Sequence, residues 1–483
     1  MRANELNLSL AADGKGPLYL QVAQTVRSAI EDRRIRPGVA LPGVRDLAER
    51  LGVTVNTILT ALRELQAQGW VESRERVGFF VADPLPSGLA PTSGGKGMTS
   101  AAGFEIPAHL SPISSTANVM MDFTEAMADA RLAPAQALGR AYQRALKLKG
   151  PELLGSADVK GHPRLREALC THLRVQRAIE AGPDQVLVLS SMAMAITVVS
   201  QAFLGAQGGL VAVENPGNPH LWESIRQAGR VELRPLAVDA EGASPADLEA
   251  LLASTDQPVR LLVLSPQCHF PTGVSLSESR RRRFLELARQ HRFPILELDA
   301  EYDYLMATGA QPRPLVAEDP GQVIYVGDLS RILASGTRAA YLIAPQALSD
   351  LLAKARRHLD WQGDPVQEWA LSELLIDGEI QRQLFRVRKA AAERKEALED
   401  ALQHALAGRL ESQSGAMGLW LKGRGSLLDP AAFSVWVRAC QSRGLKLRLG
   451  KHYDLAQRDQ AATRMEFTAF TPEELQVAVA LMT

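Results

Sequence analysis

The chain has 483 residues, more than one ordinary domain holds, and its 46% hydrophobic and 22% charged content belongs to globular protein with two or three cores. Lys+Arg and Asp+Glu both number 54, so the net charge is zero and no molecule-wide basic field marks a nucleic-acid partner; any such binding has to be local. Cys170, Cys268 and Cys440 are too scattered for a disulfide framework or a metal-ligand set, and the opening MRANELNLSLAADGKG has no signal-peptide core. With no uninterrupted apolar run long enough to span a membrane, the expectation is a cytoplasmic protein with no metal and no membrane partner.

Residues 1–82 read as the first unit. In PLYLQVAQTVRSAIEDRRIRPG, Leu18, Val22, Val26 and Ile30 recur every four residues, which predicts a helix from Pro17 that stops before Pro37-Gly38. VRDLAERL predicts a second, short helix, and Gly52-Val53 a tight turn. Thr54 is placed to cap a third helix in which Val55, Ile58, Leu59, Leu62 and Leu65 share one face. GWVESRERVGFFVAD then predicts a two-stranded ribbon with charges at its tip. Such a winged helix-turn-helix would present Thr54, Asn56 and Thr57 to a DNA major groove, with Arg45, Arg74 and Arg76 on the phosphates. Spacing alone leaves a protein-interaction module equally open. The unit carries 11 Lys+Arg against 9 Asp+Glu, so DNA affinity would lean on dimeric presentation to two half-sites.

Residues 83–120, dense in Pro, Gly, Ser, Thr and Ala, predict a flexible linker. From residue 121 to 345, short apolar runs (VLVLSS, LVAVENP, RLLVLSP, FPILELD, VIYVGDLS) alternate with amphipathic helices, the pattern of an α/β domain with a doubly wound, mostly parallel sheet. Residues 346–483 predict a smaller, C-terminal α+β lobe with strands near GLWLKG and RMEFTAF. The run Arg280 to Arg283 reads as a solvated helix face, and His269 has no second ligand at metal-binding spacing.

The segment LPGVRDLAERLGVTVNTILTALRELQAQGWVESRERVGFFV resembles the GntR-family winged helix, which implies binding to a double-stranded DNA operator. Two departures stand out: Thr54-Val55 replaces the family's Ser-Arg, and the wing tip is Arg76-Val77-Gly78-Phe79. The remainder, through KGHPRLREAL, VENPGNP, SPQCHFPTG, ELDAEYDY, GDLSRILASGTRAAYLIAP and RMEFTAFTPEEL, resembles a fold-type-I, pyridoxal-phosphate-dependent aminotransferase class I/II domain. That pairing is the MocR subgroup, and it implies a homodimer with pocket residues at the subunit interface.

What the resemblance implies for the pocket can be followed residue by residue. The family's Schiff-base lysine lies in S-K-x-x-x-x-G-x-R; here the segment runs from Ser330 to Arg338 with Arg331 in the lysine's place, and a guanidinium cannot form an aldimine. Asp328 stands where a Ser or Thr meets the phosphate, Asn218 where a Tyr lies, and Ser191-Met192-Ala193-Met194 where the phosphate helix opens. Asp299 and Tyr302 keep the D-x-x-Y pattern, Ser330 and Arg338 can hold an anion, and Arg464 matches the arginine that pairs with a substrate carboxylate. For Asp299 an inherited carboxylate bonded to backbone or arginine is the competing role; for Arg464, a surface or interface ion pair. Arg331 either adds charge for an anionic ligand or neutralises Asp328. The expectation is a pseudo-aminotransferase with no covalent pyridoxal phosphate and a small anionic effector bound noncovalently. A pyridoxal-phosphate-binding regulator, or a working aminotransferase carrying a DNA module, is the alternative.

Overall fold

A computed structural model describes residues 16–74, 77–85, 119–124, 127–305 and 313–483. The chain divides into two compact units, Met1–Ser114 and Ser115–Thr483. Nearly all of the expected linker, and Arg76, lie outside the described residues.

In the first unit, α1 (Leu18–Glu31), α2 (Val44–Leu51) and α3 (Val55–Ala67) precede the antiparallel ribbon of β1 (Val71–Arg74) and β2 (Gly78–Val81). Val22, Val26 and Ile30 of α1 pack with Leu47 and Leu51 of α2 and with Ile58, Leu62 and Leu65 of α3. Three expected core positions, Leu18, Val55 and the half-buried Leu59, are not in it. Leu18 is exposed because it sits at the first turn of α1, before the helix reaches its neighbours. Val55 is 43% exposed because α3 enters the core only from Ile58 onward. Gly52 ends α2 in the left-handed conformation that an L side chain resists. Thr54 then caps α3, its Oγ1 accepting from Thr57 N at 3.2 Å.

The second unit opens on β3 (Met121–Asp122), followed by α4 (Ala135–Leu153) and α5 (Pro163–Arg177). Its large sheet is built in chain order from β4 (Val186–Leu189), α6 (Met192–Leu204), β5 (Gly209–Asn215), α7 (Pro219–Arg226), β6 (Val231–Asp239), β7 (Gly242–Ala243), α8 (Pro245–Ser254), β8 (Val259–Leu264), α9 (Glu278–His291), β9 (Ile295–Asp299), α10 (Leu315–Glu318), β10 (Val323–Asp328), α11 (Ser330–Leu333) and β11 (Ala340–Ile343). The strand order is β4-β11-β10-β9-β8-β5-β6-β7; the central pairs are parallel, and β11 runs antiparallel to both its neighbours. Successive residues alternate between two cores: Val186, Val188, Val323 and Tyr325 face one, Leu187, Leu189, Ile324 and Val326 the other. Both faces are thus covered, as a parallel sheet requires.

The C-terminal part contains α12 (Gln346–Asp360), α13 (Pro365–Ile376), α14 (Glu379–Leu406), β12 (Leu410–Ser414), β13 (Gly418–Gly423), α15 (Pro430–Ser442), β14 (Leu445–Lys446), β15 (Ala462–Glu466) and α16 (Pro472–Met482). Here the structure departs from the expected partition. β3 pairs not with the large sheet but with β14, and Phe123 is buried in the core of the C-terminal lobe. The two residues are too short a signal to show in sequence which strand they would join. The arginine run also differs from a uniformly solvated face: Arg282 is exposed, whereas Arg281 is buried against Glu318, and Arg280 Nη2 pairs with Asp239 Oδ2 at 2.7 Å. Among the described residues no helix is long and apolar enough to cross a membrane.

The cap that starts α3 sets a measurable dependence. Thr54→Ala should lower the stability of the first unit by about 1 kcal/mol, read as a reduced thermal midpoint of that unit; an unchanged midpoint would show the cap to be dispensable.

Candidate functional site

On the first unit, the end of α3 is the surface to consider. The hydroxyls of Thr54 and Thr57 lie 2.8 Å apart and bond each other, and Thr54 Oγ1 also holds the Thr57 amide. Both are committed to the helix end. Asn56 is exposed, and its amide makes no hydrogen bond among the described residues. Arg45 is exposed at the start of α2, and Arg74 lays its guanidinium over the Phe80 ring, 4.2 Å from the centroid, fixing it on the ribbon.

On the second unit, a cavity of about 620 Å³ lies between the N-terminal ends of α6 and α7 and the C-terminal ends of β5, β8 and β9. Of the eight pocket residues expected from sequence, Asn218 and Arg331 line it. Asn218 caps α7, its Oδ1 accepting from His220 N at 3.0 Å. Arg331, on α11, directs Nη1 towards Met417 Sδ, 3.7 Å away, while its carbonyl accepts from the Tyr304 hydroxyl at 2.7 Å. Arg448, Glu214 and Glu301 line the same cavity.

The other six expected residues are placed elsewhere or are already bonded. Asp299, at the end of β9, accepts from Arg177 Nε at 3.1 Å and from the Tyr325 hydroxyl, and its other oxygen holds the Tyr302 amide at 3.2 Å. Burial pushes this carboxyl up, against the pull of Arg177. The same guanidinium stacks on the Tyr302 ring, 3.8 Å from its centroid. Asp328 accepts from Ser330 N at 2.8 Å, and Ser330 Oγ accepts from Ala339 N at 2.9 Å, so both shape their own turn. Arg338 is exposed, in a left-handed conformation (φ 46°), and borders a different cavity with Arg356.

Arg464 is the most fully committed. Only 1% exposed, it donates to Glu301 Oε1 at 2.6 Å, to both oxygens of Glu466, and to the Pro271 carbonyl at 2.8 Å, with its guanidinium over the Phe270 ring. Glu301 and Glu466 are each 2% exposed. The anion facing this arginine is therefore the protein's own. Burial works against the guanidinium's charge, yet the two carboxylates hold its pKa above the ordinary arginine value.

Several of these partners escaped the sequence reading. Glu301 and Glu466 sit inside the quoted motifs ELDAEYDY and RMEFTAF, but nothing local says that they converge. Arg177 lies 122 positions from Asp299. Glu214, in VENPGNP, is a further omission: burial pushes its carboxyl up to about 8, only partly offset by the Ser265 amide that it accepts from at 2.9 Å. Behind it, His269 Nε2 is 3.9 Å from Glu214 Oε2, and burial together with the charge of Arg464 brings its pKa down to about 3.

Two outcomes follow. Arg464→Ala leaves two buried carboxylates unpaired and should cost about 3–5 kcal/mol, measured by denaturant unfolding; a loss below about 1 kcal/mol would mean that the cluster relaxes or hydrates freely. For Glu214, the folded state keeps a proton that the unfolded chain releases above its ordinary pKa of 4.5, so this residue's contribution to stability falls as pH rises from 4.5 to about 8 and then levels. Glu214→Gln should flatten that slope in unfolding curves recorded across the range.

With this geometry in hand, comparison with known proteins is direct. Residues 18–81 match the family model described as bacterial regulatory proteins, gntR family, and residues 123–481 match aminotransferase class I and II. The chain is 27% identical over 450 residues to the probable rhizopine catabolism regulatory protein MocR of Rhizobium meliloti, covering 91% of this chain and 87% of that one. It is 28% identical to the HTH-type transcriptional regulator TauR of Rhodobacter capsulatus, covering 98% and 97%. Among solved structures it is similar to LysN, the alpha-aminoadipate aminotransferase of Thermus thermophilus, with a TM-score of 0.68 and 21% identity over 76% of this chain and 93% of that one. The chain belongs to the MocR-type, GntR-family transcription regulators, which join a DNA-binding helix-turn-helix to an aminotransferase class I and II domain.

Proposed function

We propose that this DNA-binding transcription regulator uses its aminotransferase-shaped body as a homodimerising sensor and not as an enzyme. In this reading the cavity beside Arg331 takes up a small anionic molecule without a covalent bond. Uptake then biases how two winged helices meet the half-sites of a duplex operator in the cytoplasm.

The observation that carries the reading is the commitment of Arg464 to Glu301 and Glu466. A transaminase needs that kind of group free for an incoming carboxylate. Pyridoxal phosphate, the cofactor of the aminotransferase family, needs a primary amine, a carboxylate for its ring nitrogen and a phosphate cup. No lysine is among the residues lining the cavity, Arg331 offers a guanidinium and not a primary amine, and Asp299 is bonded to Arg177 and Tyr325. This donor set does not fit a covalently held cofactor. An anionic occupant is supported by the wall charges: Arg331 and Arg448 are cationic, Glu214 is uncharged below about pH 8, Glu301 shares Arg464 with Glu466, and Glu223 pairs with Arg226 at 2.6 Å.

The test is to add pyridoxal phosphate to the purified protein, record its absorbance, reduce with borohydride and map adducts by mass. No aldimine band and no specific lysine adduct are expected, and Arg331→Lys alone should not create them, because Asp299 and Arg464 remain occupied. A stoichiometric adduct at the cavity in the unmodified chain would overturn the reading.

A further inference from the structure

The first turn of α3 divides its side chains between two tasks. Thr54 and Thr57 spend their hydroxyls on each other and on the helix cap, and Thr60 Oγ1 donates to the Asn56 carbonyl at 2.8 Å. What remains pointing outward is an apolar group and an amide: Val55, 43% exposed, and Asn56, whose side chain has no hydrogen-bond partner among the described residues. Leu59, half-buried and outside the core cluster of this unit, continues the Val55 stripe at i+4, and Arg63 continues it, exposed, at i+8. Arg63 puts a cation at the far end of the stripe, and Arg45 on α2 and Arg74 on the ribbon add positive charge to the same unit. Phosphate is complementary to those cations.

The major groove presents each base pair as a distinct pattern, and only thymine offers a methyl group, while an asparagine amide matches adenine N6 and N7 with two bonds. We propose that Val55 and Asn56 together read an A·T-containing element in each half-site, Val55 against the C5-methyl of a thymine and Asn56 bidentate to an adenine on the same or the adjacent base pair. Thr54 and Thr57 hold the helix end and make no base-specific choice.

The experiment uses the full chain and a randomised duplex pool. Selected half-sites should share a thymine and an adenine within two neighbouring base pairs. Replacing that thymine by deoxyuridine removes only the methyl and should weaken wild-type binding about fourfold, the worth of one buried methyl group. Val55→Ala should bind the two duplexes equally. Asn56→Ala should lose about tenfold for the selected site and with it the adenine preference. Val55→Arg, at a solvent-facing position that tolerates the change, should shift selection towards guanine. Equal wild-type affinity for thymine and deoxyuridine duplexes overturns the assignment of Val55. Retention of the adenine preference by Asn56→Ala overturns that of Asn56. A pool that yields no enriched sequence overturns both, and points to this edge as a protein contact.

Discussion

Everything about the second unit's chemistry turns on one buried guanidinium. Arg464 belongs to a strand of the C-terminal lobe, yet its hydrogen bonds reach Glu301, just past the end of a large-sheet strand, and the Pro271 carbonyl in the loop that follows another. A charge with no access to water must be matched in place, and here two carboxylates do so, with Arg331 adding its field on Glu466. The cluster joins the lobes electrostatically, and through Glu301 it reaches the wall of the cavity.

The same inward bonding recurs at other polar groups of the aminotransferase-shaped unit. Three of the polar groups named from the sequence have their bonding capacity turned inward: Asp299 to Arg177 and Tyr325, Ser330 to Ala339, Arg464 to its glutamates. The two apolar cores on the faces of the sheet are built mainly from other residues, although Tyr325, which bonds Asp299, belongs to one of them.

The sequence was most informative where periodicity speaks. Ile58, Leu62 and Leu65 announce the buried face of α3, and VIYVGD alternates between two cores as its pattern suggests. It was least informative at element ends and across long separations. Val55 has the chemistry of a core residue and the position of a surface one, and only the entry angle of the helix decides. Arg464 was recognisable by its motif, but whether it faced a ligand or a glutamate depended on Glu301, 163 positions away. That residue 331 is an arginine was legible directly; that its guanidinium would point at Met417 was not.

The pairing of β3 with β14 bears on how the body is strung. Met120 N donates to the Gly444 carbonyl at 2.9 Å, and Met121 and Asp122 lie alongside Leu445 and Lys446. The point where the chain enters the second unit is thus stitched to the C-terminal lobe and not to the large sheet. Rotating that lobe by even a few degrees carries the root of the connecting segment with it, whereas a rearrangement confined to the sheet leaves that root where it was.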